Sequence, residues 1–306
     1  MTEKTINDID QVGETIASVV EKSGTKTKNA AVCVAGSSVI TKVINMPSGL
    51  SDDDMEVQIQ IEADQHIPFP LDQVSIDFEV AEEPEEGSEN VKVLLAAARS
   101  EIVDNCVASL DLGGLKAKVV DIEAFTIENS IEWISKKFPS GVSKDVIAVA
   151  DIGSRSTTFS VLEDLKVVYS RDEAFGGVQL TEEIQRRYGM SFEEAAIAKK
   201  AGSLPEDYEP EVLEPFKENL ISEISRALQF FYSSSETTDI DILVIAGGCA
   251  SISNLAGLIE SKLEIKTIIA NPFSEMTISP KVNKKILAND APSLLIACGL
   301  AMRGGV

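Results

Sequence analysis

The sequence predicts an α/β fold in two halves, on three observations. Apolar runs that read as buried strands alternate with amphipathic helical stretches along nearly the whole chain. Residues 38–121 follow an order of their own, β-α-β-β-α-β, that of a small split-βαβ module. The second half opens with three strands in quick succession, VIAVADIG, STTFSVL and KVVYSR, before its helices begin.

Ile6, Ile9, Val12, Ile16, Val19 and Val20 recur at helical spacing and Gly24 stops them. Ala30 to Gly36 is a short apolar run, a buried strand. SVITKVINM is the next strand, broken by Pro47 and Gly49. Ser51 with Asp54 starts a helix in the manner of a capping box, and Met55, Ile59, Ala63 and Ile67 form its apolar stripe. Val74 to Val80 alternates strictly and is a half-buried strand. An acidic loop, Glu82 to Glu89, leads to the strand VKVLLAAA. Ile102, Val103, Cys106, Val107 and Leu110 make a helix face ended by Gly113-Gly114, and Leu115 to Ile122 is the module's last strand. A linking helix over 124–137 ends at Phe138-Pro139-Ser140-Gly141. Helices are expected at 178–189, 191–201 and 210–235, then the strand IDILVIAGG, a helix at 254–263, and a closing helix from Pro292 to Arg303. The expected domains are 1–37, 38–121, 122–144 and 145–306.

Fifty acidic residues against 27 basic ones give 306 residues a net charge of −23. That field repels nucleic-acid phosphates and bare anionic lipid, and the lysine and arginine pairs, Lys284-Lys285 among them, are scattered. Cys33, Cys106, Cys249 and Cys298 are far apart, and His66 is the single histidine, so no zinc site of usual spacing forms and the cysteines read as core residues. His66 reads as a helix-end residue and Trp133 as a core or groove residue. The polar N-terminus does not look like a signal peptide, and no run of 18 apolar residues occurs. A cytoplasmic chain is expected.

Two elements point to chemistry. Asp151-Ile152-Gly153-Ser154-Arg155-Ser156-Thr157-Thr158 lies between two apolar strands. A glycine there lets backbone approach a phosphate, successive N–H groups and hydroxyls can cradle it, and an aspartate at the strand end can hold Mg²⁺ through water. A polar β-hairpin turn is the plain alternative. Gly247-Gly248-Cys249-Ala250 ends a buried strand and opens a helix, which suits a flat or anionic ligand. Many strand-to-helix turns contain such glycines.

Together, DIGSRSTT and VIAGGCASISNL resemble the second-phosphate and adenosine motifs of actin-like ATPases. The likeness sharpens to the PilM family of type IV pilus assembly proteins, related to FtsA. It is carried by GSSVITKVINMPSGLSDDDMEVQIQIEADQHIPFPLDQV, VKVLLAAARSEIVDNCVASLDLGGLKAKVVDIEAF, EAFGGVQLTEEI and PSLLIACGLAMR. The resemblance implies a two-lobed actin-like fold with 38–121 as the inserted subdomain. It implies ATP and Mg²⁺ as cofactors, with Asp151 facing the metal and Gly153, Ser154, Arg155, Ser156 and Thr157 against the phosphates. Gly247, Gly248, Cys249 and Ala250 would line the adenosine side, and Lys199 would contact the nucleotide, a solvated helix-face lysine being the plain alternative. Glu123 matches the region that orients the attacking water, where it would be the base, although an acid favoured by a helix N-terminus explains it better. FtsA-like relatives carry an acid where this chain has Ala196.

The superfamily also opens its first half with three strands bearing a phosphate loop, and no such opening precedes Ile6. Little or no ATPase activity is therefore expected, with self-association at the strand edge left open. The implied partners are the N-terminal cytoplasmic peptide of a PilN-like inner-membrane protein and other pilus platform proteins. Attachment to the inner membrane would be peripheral, through these partners. The rival reading is an active ATPase or sugar-kinase-like phosphotransferase on the same fold.

Overall fold

The computed structural model describes residues 4–35, 38–81, 89–140, 143–237 and 239–303. The acidic loop expected at Glu82 to Glu89 lies outside the described residues except for its last member, as does Gly36 at the end of the first apolar run. The chain divides into two compact units, 1–123 with 303–306 and 124–302.

In the first unit, α1 (Ile9–Ser23) is capped by the Asp8 carboxylate, which accepts from Gln11 N at 2.9 Å, and Gly24 closes it in the left-handed conformation. After β1 (Asn29–Val34) and β2 (Val39–Pro47) comes α2 (Asp52–His66), started by Ser51, whose Oγ accepts from Asp54 N. β3 (Val74–Val80), β4 (Asn90–Arg99), α3 (Ser100–Leu112) and β5 (Lys116–Ile122) follow. β2, β4 and β3 form an antiparallel sheet in that order. The α2 stripe of Met55, Ile59, Ala63 and Ile67 is buried against Ile44, Met46, Val93 and Leu95.

The four-stranded module expected at 38–121 is corrected here. β5 does not join that sheet; it pairs in parallel with β1, from Asn29↔Lys116 to Val34↔Ile122. The cause is local. β4 runs into α3 with no intervening loop at Arg99–Ser100, and α3 packs on α1, β1 and β5, so the chain has left the small sheet before β5 begins. Element order along a chain does not say which sheet a strand joins.

The second unit has three layers. Its strands are β6 (Val146–Ile152), β7 (Thr157–Glu163), β8 (Lys166–Glu173), β9 (Ile242–Ala246) and β10 (Thr267–Ile269), ordered β10-β9-β6-β7-β8. β6 is antiparallel to β7 and parallel to β9. Alternation assigns the two faces. Ala148, Ala150, Ile152, Leu243 and Ile245 enter one core with Leu180, Leu220, Ile224 and Phe231 of α5 (Gly177–Tyr188) and α7 (Glu214–Ser234). Ile147, Val149, Ile242 and Val244 enter the other, with Ile127 and Ile131 of α4 (Glu123–Ser135) and Leu295 of α10 (Leu295–Met302). Strands covered on both faces read as continuous apolar runs, which is why they stand out in the sequence. α6 (Phe192–Ala201), α8 (Leu255–Leu263) and α9 (Lys284–Asp290) complete the unit.

The helix expected over 210–235 begins with a π turn at Glu209–Leu213, because Pro215 has no N–H to offer the carbonyl of Glu211. By length and mean hydropathy (1.2), Lys284–Met302 would suffice to cross a bilayer. It is broken by a 3-10 turn at Ala291–Leu294, and α10 buries Leu295, Cys298 and Gly299 in the core. The Ser130 hydroxyl donates to Leu295 O at 2.7 Å, and a Cβ on Gly299 would stand 2.0 Å from Thr126 O. Gly299→Ala should therefore destabilise the protein by about 1–3 kcal/mol, as overpacking does. Its helix propensity alone predicts a gain of about 1 kcal/mol. Denaturant titration separates the two: a stabilised variant would show that α10 does not pack against the Thr126 backbone.

Candidate functional site

Asp151 and Gly153 stand at the end of β6, and Thr157 opens β7. The turn between them is closed by Gly153 N donating to Ser156 O at 2.9 Å, with Ser154 and Arg155 exposed at the tip. The carbonyls of this turn are taken by the start of α5: Gly177 N donates to Gly153 O at 3.0 Å and Val178 N to Ser154 O at 2.7 Å. Thr157 is buried and its hydroxyl donates to Phe175 O at 2.7 Å, tying the hairpin to the segment before α5. A helix N-terminus that would otherwise attract an anion is thus spent on holding the loop in place.

Gly176 makes that approach possible, since a Cβ there would lie 2.6 Å from Gly153 O and 2.7 Å from Ser154 O. Gly176 and Gly177 are not among the residues the sequence assigns to the site, although the PilM-like run EAFGGVQLTEEI contains both. Thr181 was missed as well.

The glycine turn after β9 sits against the same hairpin. Gly247 has φ +80°, in the left-handed region, and a Cβ on it would meet Ile152 O at 2.3 Å and Asp151 Oδ1 at 2.6 Å. Its N–H donates to Pro292 O at 2.9 Å. Gly248 is different: nothing lies within 4 Å of where its Cβ would be. Cys249 and Ala250 are buried, and the Cys249 thiol faces Gly153 O at 3.8 Å. Burial pushes that thiol up to about 11, with the Asp151 carboxylate adding to the shift and the Lys199 ammonium opposing it.

Lys199, on α6, donates to Gly177 O at 3.1 Å and to the Thr181 hydroxyl, both in the first turns of α5. Burial lowers its pKa from the ordinary lysine value, and the Cys249 thiol opposes the shift. Asp151, Gly153, Lys199, Gly247 and Cys249 thus share one corner of the second unit, at the carboxyl ends of β6 and β9. Glu123 belongs to the first unit, where Lys4 Nζ grips both carboxylate oxygens, at 2.8 and 3.1 Å.

This arrangement offers an exposed, hydroxyl-rich turn clamped to a helix start, a carboxylate at a strand end, and an open glycine beside it. All of these residues lie in the second unit. Among the described residues, β1 and β5 of the first unit form a two-stranded parallel sheet, and the second unit has a mixed sheet of five strands.

A sequence profile described as type IV pilus assembly protein PilM matches residues 1–305. The chain belongs to the PilM family. Among solved structures, it is similar to a chain of a PilM–PilN type IV pilus biogenesis complex, with 25% identity and a TM-score of 0.77, over 99% of this chain and 88% of that one. The ethanolamine utilization protein EutJ from Carboxydothermus hydrogenoformans matches at 15% identity and TM-score 0.56, over 99% of this chain and 78% of that one. MreB5 of Spiroplasma citri bound to ADP matches at 12% identity and TM-score 0.50, over 99% and 77%. These neighbours establish a two-lobed actin-like fold.

The two adjacent glycines give the PilM-family site a sharp test. Gly247→Ala should cost about 1–3 kcal/mol through its clash with the Ile152 carbonyl. Gly248→Ala should leave the unfolding midpoint within about 0.5 kcal/mol of the parent. Equal midpoints for the two variants would contradict this assignment. Cys249 should also resist thiol reagents at pH 8 while the protein is folded and react once it is denatured; prompt labelling of the folded protein at Cys249 would show the thiol to be neither buried nor neutral.

Proposed function

We propose that this chain is an actin-like scaffold of the type IV pilus inner-membrane platform that holds the cytoplasmic N-terminal segment of a PilN-like membrane partner. The observation that carries the reading is the 25% identity, spread over 99% of this chain, to the solved chain of a PilM–PilN complex. The protein is cytoplasmic on this reading and reaches the membrane through its partners. ATP with Mg²⁺ acts as a structural or regulatory ligand.

The partner segment docks on the small subdomain. One face of the β2-β4-β3 sheet is covered by α2. The other carries Val43, 58% exposed, opposite Leu94, with Asp77 and Glu79 on β3 facing Ala96 and Leu94. β2 and β3 both offer a free edge. An extended segment with apolar and basic residues suits that surface, using edge hydrogen bonds for affinity and side chains for specificity.

Nucleotide sits in the second unit. Asp151 holds the metal through water, the turn from Gly153 to Thr157 faces the phosphates, and Gly248 gives the adenosine side its room. Lys199 stiffens the first turn of α5 against the same site. Glu123, gripped by Lys4, is the weakest of the assigned residues as a base. Phosphoryl transfer needs charge neutralised on both sides of the transferred group, and one lost donor costs about 10²–10³ in rate. With Glu123, the one candidate base, held by Lys4 Nζ, turnover is slow or nil.

Calorimetric titration with a PilN-like N-terminal peptide and, separately, with Mg-ATP tests the proposal. Both should bind without turnover. Val43→Glu should weaken the peptide at least tenfold, a loss of about 1.4 kcal/mol, and leave Mg-ATP binding unchanged. Rapid hydrolysis with no peptide site would favour the enzyme instead.

A further inference from the structure

We propose that the pocket between the end of β10 and α9 is a second docking site, for a protein segment that presents large apolar side chains flanked by acids. The cavity has a volume of about 450 Å³; Phe273, Met276, Ile278 and Leu287 supply its apolar lining, and Asn271, Ser274, Thr277 and Lys284 its polar part. It shares no residue with the hairpin and glycine turn that face the nucleotide. Its walls are fixed from several sides. Trp133 Nε1 donates to Pro272 O at 2.9 Å, Lys137 pairs with Glu275 at 3.2 Å, and the Ser251 hydroxyl donates to Asn289 O at 2.6 Å. The Asn283 side chain accepts from Lys285 N and Ile286 N and starts α9.

Beside the cavity, Val282 and Ile286 are 43% and 58% exposed, an apolar surface continuous in sequence with the lining. Lys281, Lys284 and Lys285 stand exposed among them, and none of the three pairs with a carboxylate among the described residues. The one carboxylate of the loop, Glu275, is already taken by Lys137. A concentrated positive charge is unusual on a chain whose net charge is −23. Charges farther off than about 8 Å are largely screened at physiological ionic strength, so a docking segment meets the lysines rather than the net charge. A cavity of mixed apolar and polar lining with a positive rim is complementary to an apolar anchor and an acidic flank. The small subdomain's sheet face differs, carrying Asp77 and Glu79 with Lys92 beside them.

Fluorescence anisotropy with two labelled probes tests this on the full chain. One is the acidic peptide Glu-Glu-Leu-Phe-Glu-Glu-Leu-Leu; the other has every Glu replaced by Lys. The acidic peptide should bind and weaken as salt rises. Its affinity should fall at least tenfold in the double variant Lys284→Glu/Lys285→Glu and in Ile286→Asp, both on exposed positions that leave the core untouched. The basic peptide should not reach the pocket, so neither variant should lower its affinity. Acidic-peptide binding that ignores these substitutions would overturn the proposal. So would self-association of the parent, seen by sedimentation and abolished by the double variant, since the occupant would then be a second copy. Flotation with phosphatidylglycerol vesicles that depends on the same lysines, without peptide binding, would identify a lipid surface and equally overturn it.

Discussion

The arrangement of the candidate site hangs on one contact: the start of α5 donating its backbone N–H groups to the carbonyls of the Gly153–Ser154 turn. That contact fixes the loop between β6 and β7 before any ligand arrives, and positioning is most of what a phosphate-facing loop can contribute. It requires Gly176, because any larger residue would drive the two backbones apart. It also explains Lys199, whose ammonium bridges Gly177 O and the Thr181 hydroxyl and so stiffens the same turn from the other side. The site is a backbone construction, and most of its side chains serve the backbone.

This is why the sequence disclosed the site's place better than its parts. DIGSRSTT and the later glycine pair stand out because small residues interrupt apolar strands, and the structure brings the two together. The division of labour inside them could not be read. Gly247 and Gly248 are adjacent and identical in type, yet one is demanded by the Ile152 carbonyl and the other faces open space. Thr157 reads as a ligand hydroxyl and turns out to donate to Phe175 O. Such distinctions depend on which backbone lies opposite, and that is set by residues far off in the chain.

The fold shows the same limit. Strands buried on both faces and helices with a clear apolar stripe were legible, including the Ser51 and Gly24 boundaries, since they rest on local periodicity and capping. Pairing partners were not: β5 follows α3 in the order a split-βαβ module demands, and joins β1 instead. The pocket beside α9 was invisible for a related reason. Lys284-Lys285 looks like scattered surface charge until the loop carrying Phe273, Met276 and Ile278 folds against it.

On the proposed reading the two units divide the work, with nucleotide at the β6–β7 corner of one and the partner segment on the β2-β4-β3 sheet of the other. Hydrogen–deuterium exchange of the full chain, alone, with Mg-ATP and with a PilN-like N-terminal peptide, tests that division most directly. The account predicts that Mg-ATP slows exchange at 151–158 and 247–251, and that the peptide slows it at 39–47 and 90–99, with no ATP consumed in either sample. Peptide protection confined to 145–303, or steady consumption of ATP, would contradict it.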